Sequence, residues 1–404
     1  MRIGVVGLGY VGLVTASVLA CKNNSVIGID IDESRIQMLR SGNLPIFEPE
    51  LAERIRNAGN NLEFSSDYSK LLQCEAVFLC VPTPNTENKM DLKYVISAAK
   101  EVKKFTPNSD LVIKSTVLPG TAKMISELTG MNVLSNPEFT REGSAVHDTE
   151  NPDRIVIGGK SVDKIKKIWE FTASPVVVTT NENAELIKYA SNSFLAVKIS
   201  FINQLADLCE KISGTDVNVV AEGMGMDRRI GIEFLRAGLG YGGSCFPKDT
   251  VAITSFGQEK GVDLTIVKSA VNYNDNRILS LVNKIRDNLN TLSEKKVCVL
   301  GLSFKDNTDD LRESRSLMLI ENLRNQGANV KAYDPVVREV DNIELYNDLR
   351  ECILDSEIVI TATEWKDFSD IDPSLLKSKK IFDFRRVFDP KKIELTMGVG
   401  IGKN

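Results

Sequence analysis

Apolar residues fall in two rhythms along this 404-residue chain. Short runs rich in Val, Ile and Leu, bounded by Gly, Pro, Ser or Asn, alternate with longer stretches whose apolar positions recur every three or four residues. That alternation is the pattern of buried parallel strands connected by helices. Arg2–Val6, Val26–Ile29, Ala76–Val81, Leu111–Lys114, Asn132–Ser135, Arg154–Ile157 and Val176–Thr179 predict strands, and Leu13–Cys21 predicts the first helix. From Ala184 to Ile212 the helical spacing runs without Gly or Pro, which predicts one long helix. Lys296–Leu300, Ser316–Gln326 and Asn329–Tyr333 then repeat the order strand, helix, strand. The expected fold class is α/β, two Rossmann-like doubly wound domains joined by a long central helix. The expected boundaries are 1–183, 184–290 and 291–404, the middle segment serving as helical linker and dimerisation region. A long helix with a wide apolar face suits packing against a second copy, so a homodimer is expected, although packing within the chain explains the stripe equally well.

The junction between the first strand and the first helix carries chemistry. Gly7-Leu-Gly9-Tyr10-Val11-Gly12 has the spacing G-x-G-x-x-G. Such a motif alone is weak, but here it sits inside a complete strand, turn, helix, strand unit. In that setting Gly7 permits the tight turn, Gly9 lets the backbone approach a pyrophosphate, and Gly12 lets the helix pack on the strand, while the helix N-terminus offers amide N–H groups. Asp30 closes the second strand 23 residues after Gly7. Its carboxylate would accept hydrogen bonds from an adenosine ribose and repel a 2′-phosphate, which favours NAD over NADP. The uncharged start Ile3–Cys21 could also pass for a signal or lipoprotein leader, but its four glycines fit a dinucleotide turn better.

In a doubly wound sheet ligands sit beyond the carboxyl ends of the strands. Three predicted strands run there into Pro82-Thr83-Pro84, Ser115-Thr116 and Asn136-Pro137-Glu138. Thr83, Thr116 and Glu138 are therefore expected to line one crevice with Gly9, although each alone reads equally as turn chemistry. Lys188 and Asn192, four apart on the long predicted helix, share a face.

Composition narrows the function. With 50 basic and 55 acidic residues the net charge is −5, so no cationic field is available to grip a nucleic acid. No window beyond the start approaches a membrane span. Seven cysteines without a C-x-x-C pair suggest free thiols and a reducing, cytoplasmic setting. One histidine, His147, leaves no expected metal site and puts the chemistry on Lys, Asp, Glu and Cys. The most unusual stretch is Gly238-Leu-Gly240-Tyr-Gly242-Gly-Ser-Cys245-Phe-Pro-Lys-Asp249. Glycine at that density costs about 1 kcal/mol per position unless the geometry needs it, so something is expected to approach that backbone closely. Cys245 at the following helix start would have its thiolate favoured by amide N–H groups, with Lys248 or Lys188 adding positive charge.

Taken together, these residues resemble the nucleotide-sugar dehydrogenases. The resemblance rests on Gly7-x-Gly-Tyr-Val-Gly12, Val81-Pro-Thr-Pro84, Lys114-Ser-Thr-Val117, Asn136-Pro-Glu-Phe139 with Arg141-Glu-Gly143, Glu185-x-x-Lys188 with Asn192, Arg229-Ile-Gly231 and Gly242–Asp249. It continues through Gly301-Leu-Ser-Phe-Lys305, Thr308–Ser314 and Arg385-Arg386, and so covers nearly the whole chain. Phe384 departs from the family pattern, which usually has Gly at that position.

The resemblance implies an NAD-dependent, four-electron oxidation of UDP-glucose to UDP-glucuronate, with Cys245 holding the intermediate aldehyde as a thiohemiacetal and then as a thioester. It implies that Lys188 and Asn192 stabilise an oxyanion, that Asp249 orients water or relays protons, and that Glu138 and Thr116 position the hydrolytic water. Lys188, Asp249 and a water held by Glu138 all qualify to take the first proton. The cofactor would meet Gly7, Gly9, Tyr10, Val11, Gly12, Asp30, Arg35, Thr83, Thr116, Glu142 and Arg312. The sugar nucleotide would meet Glu138, Phe139, Lys188, Asn192, Arg229, Phe234, Gly242, Lys305 and Arg386, with Arg229 reaching across a dimer interface. The C-terminal repeat lacks the G-x-G-x-x-G, and the resemblance assigns it the UDP portion. GDP-mannose or a UDP-N-acetylhexosamine as substrate, and a non-catalytic NAD sensor, are the competing readings.

Overall fold

The computed structural model describes residues 1–87 and 89–402. They form two compact units, one of residues 1–191 with 255–260 and one of residues 192–254 with 261–404.

The first unit is built on strands β1 (Arg2–Val6), β2 (Ser25–Ile29), β3 (Leu62–Ser65), β4 (Ala76–Leu79), β7 (Asp110–Ile113), β8 (Val133–Ser135), β9 (Ile155–Gly158) and β10 (Val176–Thr179), with a small hairpin of β5 (Asn85–Thr86) and β6 (Lys89–Met90) beside them. The eight strands lie in the order β10-β9-β8-β7-β4-β1-β2-β3, parallel except between β8 and β9. The order in which successive strands are added to the sheet reverses between β1 and β4, which makes the crevice beyond their carboxyl ends the ligand position of the fold. Helices α1 (Tyr10–Cys21), α2 (Glu33–Arg40), α3 (Leu51–Ala58), α4 (Lys93–Phe105), α5 (Thr121–Thr129), α6 (Ala145–Glu150) and α7 (Asp163–Trp169) connect the strands. The leader-like stretch is thus β1 and α1. From Gly12 to Ala20 every residue of α1 is buried, because the helix is wedged between the sheet and helices α3 and α6 and has no solvent face. At the far edge Val176, Val177 and Val178 of β10 are exposed.

Helix α8 (Asn181–Cys209) is the predicted long helix, and the division between the units falls within it. The second unit adds α9 (Val217–Gly225), α10 (Phe246–Glu259), α11 (Thr265–Leu289), α12 (Arg315–Asn325) and α13 (Leu349–Leu354). Its sheet is wholly parallel, in the order β13 (Glu344–Leu345), β12 (Asn329–Tyr333), β11 (Lys296–Leu300), β14 (Ile358–Thr361), β15 (Lys380–Asp383), β16 (Met397–Gly398). A single core runs through Ile202 and Ala206 of α8, Leu281 and Ile285 of α11, Val299 of β11, Leu319 of α12 and Ile360 of β14. At roughly 25 cal/mol per Å² of buried apolar surface, each of these Val, Leu and Ile side chains contributes about 1.5–3 kcal/mol.

The opening turns of the two sheets match. Gly7 has φ +90° and its N–H donates to the Ile29 carbonyl at 2.7 Å, while Asp30 accepts from the Leu8 N–H at 2.7 Å. Gly301 has φ +95° and its N–H donates to the Tyr333 carbonyl at 2.8 Å, while Asp334 accepts from the Leu302 N–H at 2.8 Å.

One expectation fails here. Cys298 on β11 and Cys352 on α13 form a disulfide, with α-carbons 5.8 Å apart across 54 residues of sequence. Tertiary packing, which spacing cannot reveal, brings the pair together. Cys21, Cys74, Cys80, Cys209 and Cys245 form no disulfide.

Candidate functional site

The dinucleotide cradle in the first unit grows directly out of the glycine turn. A Cβ on Gly7 would lie 2.7 Å from the Cys80 carbonyl oxygen, and one on Gly12 would strike the Gly7 carbonyl, so both positions require glycine for packing. Gly9 differs, since a Cβ there would meet only Arg35 Nη1, at 3.9 Å. The space above it is the opening through which a pyrophosphate would approach. Gly9 is also the N-cap of α1 and offers no side-chain cap, so the first amide N–H groups of the helix remain available to an anion. Asp30 accepts from the Leu8 and Asp32 amides, and Arg35 Nη1 lies 3.6 Å from it. An open glycine, uncapped amides and an acid at the end of β2 fit NAD.

The loops after β4, β7 and β8 carry the other residues named for this unit. Thr83 donates to the Thr116 carbonyl at 2.9 Å, and Ser115 donates to the Val81 carbonyl at 2.7 Å, so the two loops are stitched together. Glu138 is buried, its Oε1 2.8 Å from Lys188 Nζ and its Oε2 accepting from Thr140 N and Oγ1, both at 2.7 Å. Burial works to raise the Glu138 pKa, but the Lys188 charge and the bonds from Lys188 and Thr140 outweigh it and hold the carboxyl below its ordinary value. The Phe139 ring is covered by the Arg154 guanidinium at 3.7 Å and lies 5.4 Å from Lys188 Nζ. Tyr10 and Glu48 both accept from the Gly143 N–H at 2.7 Å, which fixes the Arg141-Glu142-Gly143 loop beside α1.

Three buried groups here, Glu48, Lys114 and Glu185, had no role assigned from the sequence, although Lys114 and Glu185 open two of its motifs. Lys114 has its ammonium 4.8 Å over the Trp169 ring, and burial pushes its pKa down. Its position before Ser115-Thr116 was the available signal.

In the second unit Cys245 immediately precedes α10 and is only partly buried, unlike Cys74, Cys80 and Cys209, and its Sγ lies 3.5 Å from Ser244 Oγ. One turn on, the Asp249 N–H donates to the Cys245 carbonyl at 2.9 Å. The Asp249 carboxylate is fully buried, taking Lys248 Nζ at 2.6 Å on one oxygen and Asn192 Nδ2 at 2.7 Å on the other. The groups that approach the glycine-rich backbone belong to the chain itself. A Cβ on Gly240 would strike the Asn274 amide, one on Gly242 the Glu313 carbonyl, and one on Gly243 the Phe304 ring. Phe234 adopts φ +66°, its ring 6.1 Å from that of Phe246.

The cations of this unit are placed unevenly. Arg229 and Arg312 are exposed and each pairs with an aspartate two residues earlier, Asp227 and Asp310, at 2.6 Å. Lys305 Nζ lies 5.8 Å from the Phe304 ring centre. Arg386 is partly buried in a bidentate pair with Asp216, both contacts 2.7 Å, whereas Arg385 packs beside Gly238 and donates to the Ala362 carbonyl at 2.9 Å.

A glycine turn at the switch point of a doubly wound sheet, an acid ending β2, and a partly exposed cysteine at a helix start define an NAD-dependent dehydrogenase. The chain belongs to the UDP-glucose/GDP-mannose dehydrogenase family: residues 1–191 match its NAD binding domain, 182–276 its central domain and 298–390 its UDP binding domain. UDP-glucose 6-dehydrogenase TuaD of Bacillus subtilis is 37% identical over 97% of this chain and 91% of its own length. A UDP-glucose 6-dehydrogenase of Rickettsia felis is 41% identical over 96% of this chain and 93% of its own. Among solved structures, a UDP-glucose dehydrogenase from Pyrobaculum islandicum superposes with TM-score 0.93 at 37% identity, covering 99% of this chain and 98% of that one. The UDP-D-ManNAc dehydrogenase from Pyrococcus horikoshii gives 0.89 at 28% identity, with both chains fully covered. Among the described residues no helix is long and apolar enough to cross a membrane.

Proposed function

We propose that the protein oxidises the C6 alcohol of UDP-glucose to the carboxylate of UDP-glucuronate, consuming two NAD⁺ and one water and releasing two NADH and three protons. The Cys245–Asp249 turn, a partly exposed thiol followed by a buried aspartate held by Asn192 and Lys248, is the observation that carries this reading. Bound NAD supplies a hydride acceptor. Cys245 attacks the C6 aldehyde left by the first oxidation, which retains a reactive species between the two hydride transfers. The second oxidation leaves a thioester, and water cleaves it to the acid and the free thiol. Lys188 and Asn192 stabilise the oxyanions, Asp249 relays protons, and Glu138 with Thr116 positions the attacking water. Residues 1–183 serve the cofactor, 184–290 carry the thiol, and 291–404 hold the UDP portion.

UDP-glucose is preferred over other sugar nucleotides because relatives named UDP-glucose 6-dehydrogenase reach 37–41% identity over nearly the whole chain, against 28% for the UDP-D-ManNAc dehydrogenase. The same reading makes the protein a cytoplasmic homodimer. Phe194, Phe201 and Leu208 recur every seven residues on α8 and are 64%, 46% and 54% exposed, a stripe suited to a second copy.

Anaerobic incubation with UDP-glucose and NAD⁺ tests the reading by counting NADH per sugar consumed. Two per sugar is expected. A ratio of one would mean oxidation stops at the aldehyde, and turnover only with GDP-mannose or a UDP-N-acetylhexosamine would reassign the substrate.

A further inference from the structure

Helix α8 carries an acid that the scheme above leaves without a task. Glu185 lies three residues before Lys188 and is only 2% exposed. Its Oε2 accepts from the Gly120 N–H at 2.7 Å, and its Oε1 accepts from the Ala122 N–H at 2.8 Å and from Ser135 Oγ at 3.2 Å. Gly120 and Ala122 open α5, whose own N-cap is a glycine with no side chain to satisfy these amides. The capping that Ser or Asp ordinarily performs from within a helix is here performed by a carboxylate from another element. Burial pushes the Glu185 pKa up to about 7, against the pull of these three bonds.

What converges on this carboxylate matters more than the cap. The stretch from β7 to α5 carries Thr116, the end of β8 at Ser135 leads in three residues to Glu138, and the α8 turn holding Glu185 also holds Lys188. All three are segments of the first unit. We propose that Glu185 is a positioning residue that fixes Thr116, Glu138 and Lys188 relative to one another by pinning the three segments that bear them. A separate tie holds α8 on β8, since Asn181 accepts from the Ser135 N–H at 2.9 Å and donates to the Val133 carbonyl at 3.0 Å. Glu185 adds α5, and with it the Thr116 loop. Glutamine has the same shape but only one acceptor oxygen, so in Glu185→Gln an amide of α5 would face an NH₂ donor and the loop would shift while α8 stays docked.

This inference rests on the oxidation proposed above, and its test separates the two. Wild type, Glu185→Gln and Ser135→Ala are assayed with UDP-glucose and NAD⁺, alongside NAD⁺ affinity and thermal unfolding. The expected result for Glu185→Gln is a kcat loss of roughly tenfold to a hundredfold, the scale of an ångström-level misplacement, with both KM values and the NAD⁺ affinity within about twofold of wild type. Ser135→Ala, which removes one bond of the three and leaves the charge, is expected to lose only a few-fold. Wild-type kcat in Glu185→Gln overturns the inference. So does a loss of NAD⁺ affinity and cooperative unfolding in proportion to activity, which would mark Glu185 as a residue of general stability. A wild-type enzyme that forms no NADH from any sugar nucleotide overturns the oxidation itself.

Discussion

Replacing Lys188 with methionine keeps most of the side-chain volume and removes the charge that faces Glu138. In the wild type the two groups are 4% and 6% exposed at the side chain and 2.8 Å apart. Without Lys188, Glu138 keeps only the two bonds from Thr140, and removing one partner of a buried pair typically costs about 3–5 kcal/mol. The charge of Lys114, which also acts on Glu138, places the expectation at about 3 kcal/mol. The dependence on pH follows from the shifts. In the wild type the Glu138 pKa lies below its ordinary value of 4.5, so the pair contributes fully above that pH and is lost as pH falls through the lowered value. In Lys188→Met burial dominates and the pKa rises, so the contribution reverses: it is present at low pH and lost as pH rises through the raised value. The stability gap between the two proteins must therefore widen between pH 5 and pH 8. Urea unfolding of wild type, Lys188→Met, Glu138→Gln and the double variant at both pH values measures it, and at pH 8 the double variant should recover part of the loss. An equal gap at pH 5 and pH 8, or a double variant no more stable than Lys188→Met, would refute the reasoning. In the assay, kcat should fall by about two to three orders of magnitude if Lys188 supports an oxyanion.

Two further outcomes bear on the proposed function. Cys245→Ser should bind NAD⁺ and UDP-glucose yet form no uronate, as followed by calorimetry and NADH absorbance; full turnover would remove the covalent step. Phe194→Glu with Phe201→Glu should convert a dimer to a monomer in analytical ultracentrifugation, because a two-fold interface counts each change twice at about 2 kcal/mol apiece; an unchanged dimer would place the interface elsewhere.

Most strands of the first sheet, and β11 and β12 of the second, were readable to within one or two residues, because parallel strands covered on both faces are apolar throughout and end on turn residues, whereas β14 and β15 were not predicted. Nor was β3, since Leu62-Glu-Phe-Ser65 is four residues long and includes a charge. Spatial proximity was readable where the fold rule converts position into location: Thr83 and Thr116 follow different strands and meet at the carboxyl ends of the sheet. What depends on distant partners was hidden. Glu185 meets amides more than 60 residues away, and Arg386 meets Asp216 across 170 residues. The glycines of 238–243 announced a close approach but not its source, which lies in Asn274, Phe304 and Glu313.

The matched turns of the two sheets bear on redesign of the coenzyme preference. Asp334 bolts a glycine turn in place where no G-x-G-x-x-G follows, which shows that the carboxylate serves the backbone irrespective of a dinucleotide. With the expected ribose contact, Asp30 would do two jobs at once. Exchanging it for a small neutral residue to admit a phosphorylated ribose would also unfasten the Leu8 amide and slacken the cradle, so an engineered switch has to leave an acceptor behind, as asparagine would.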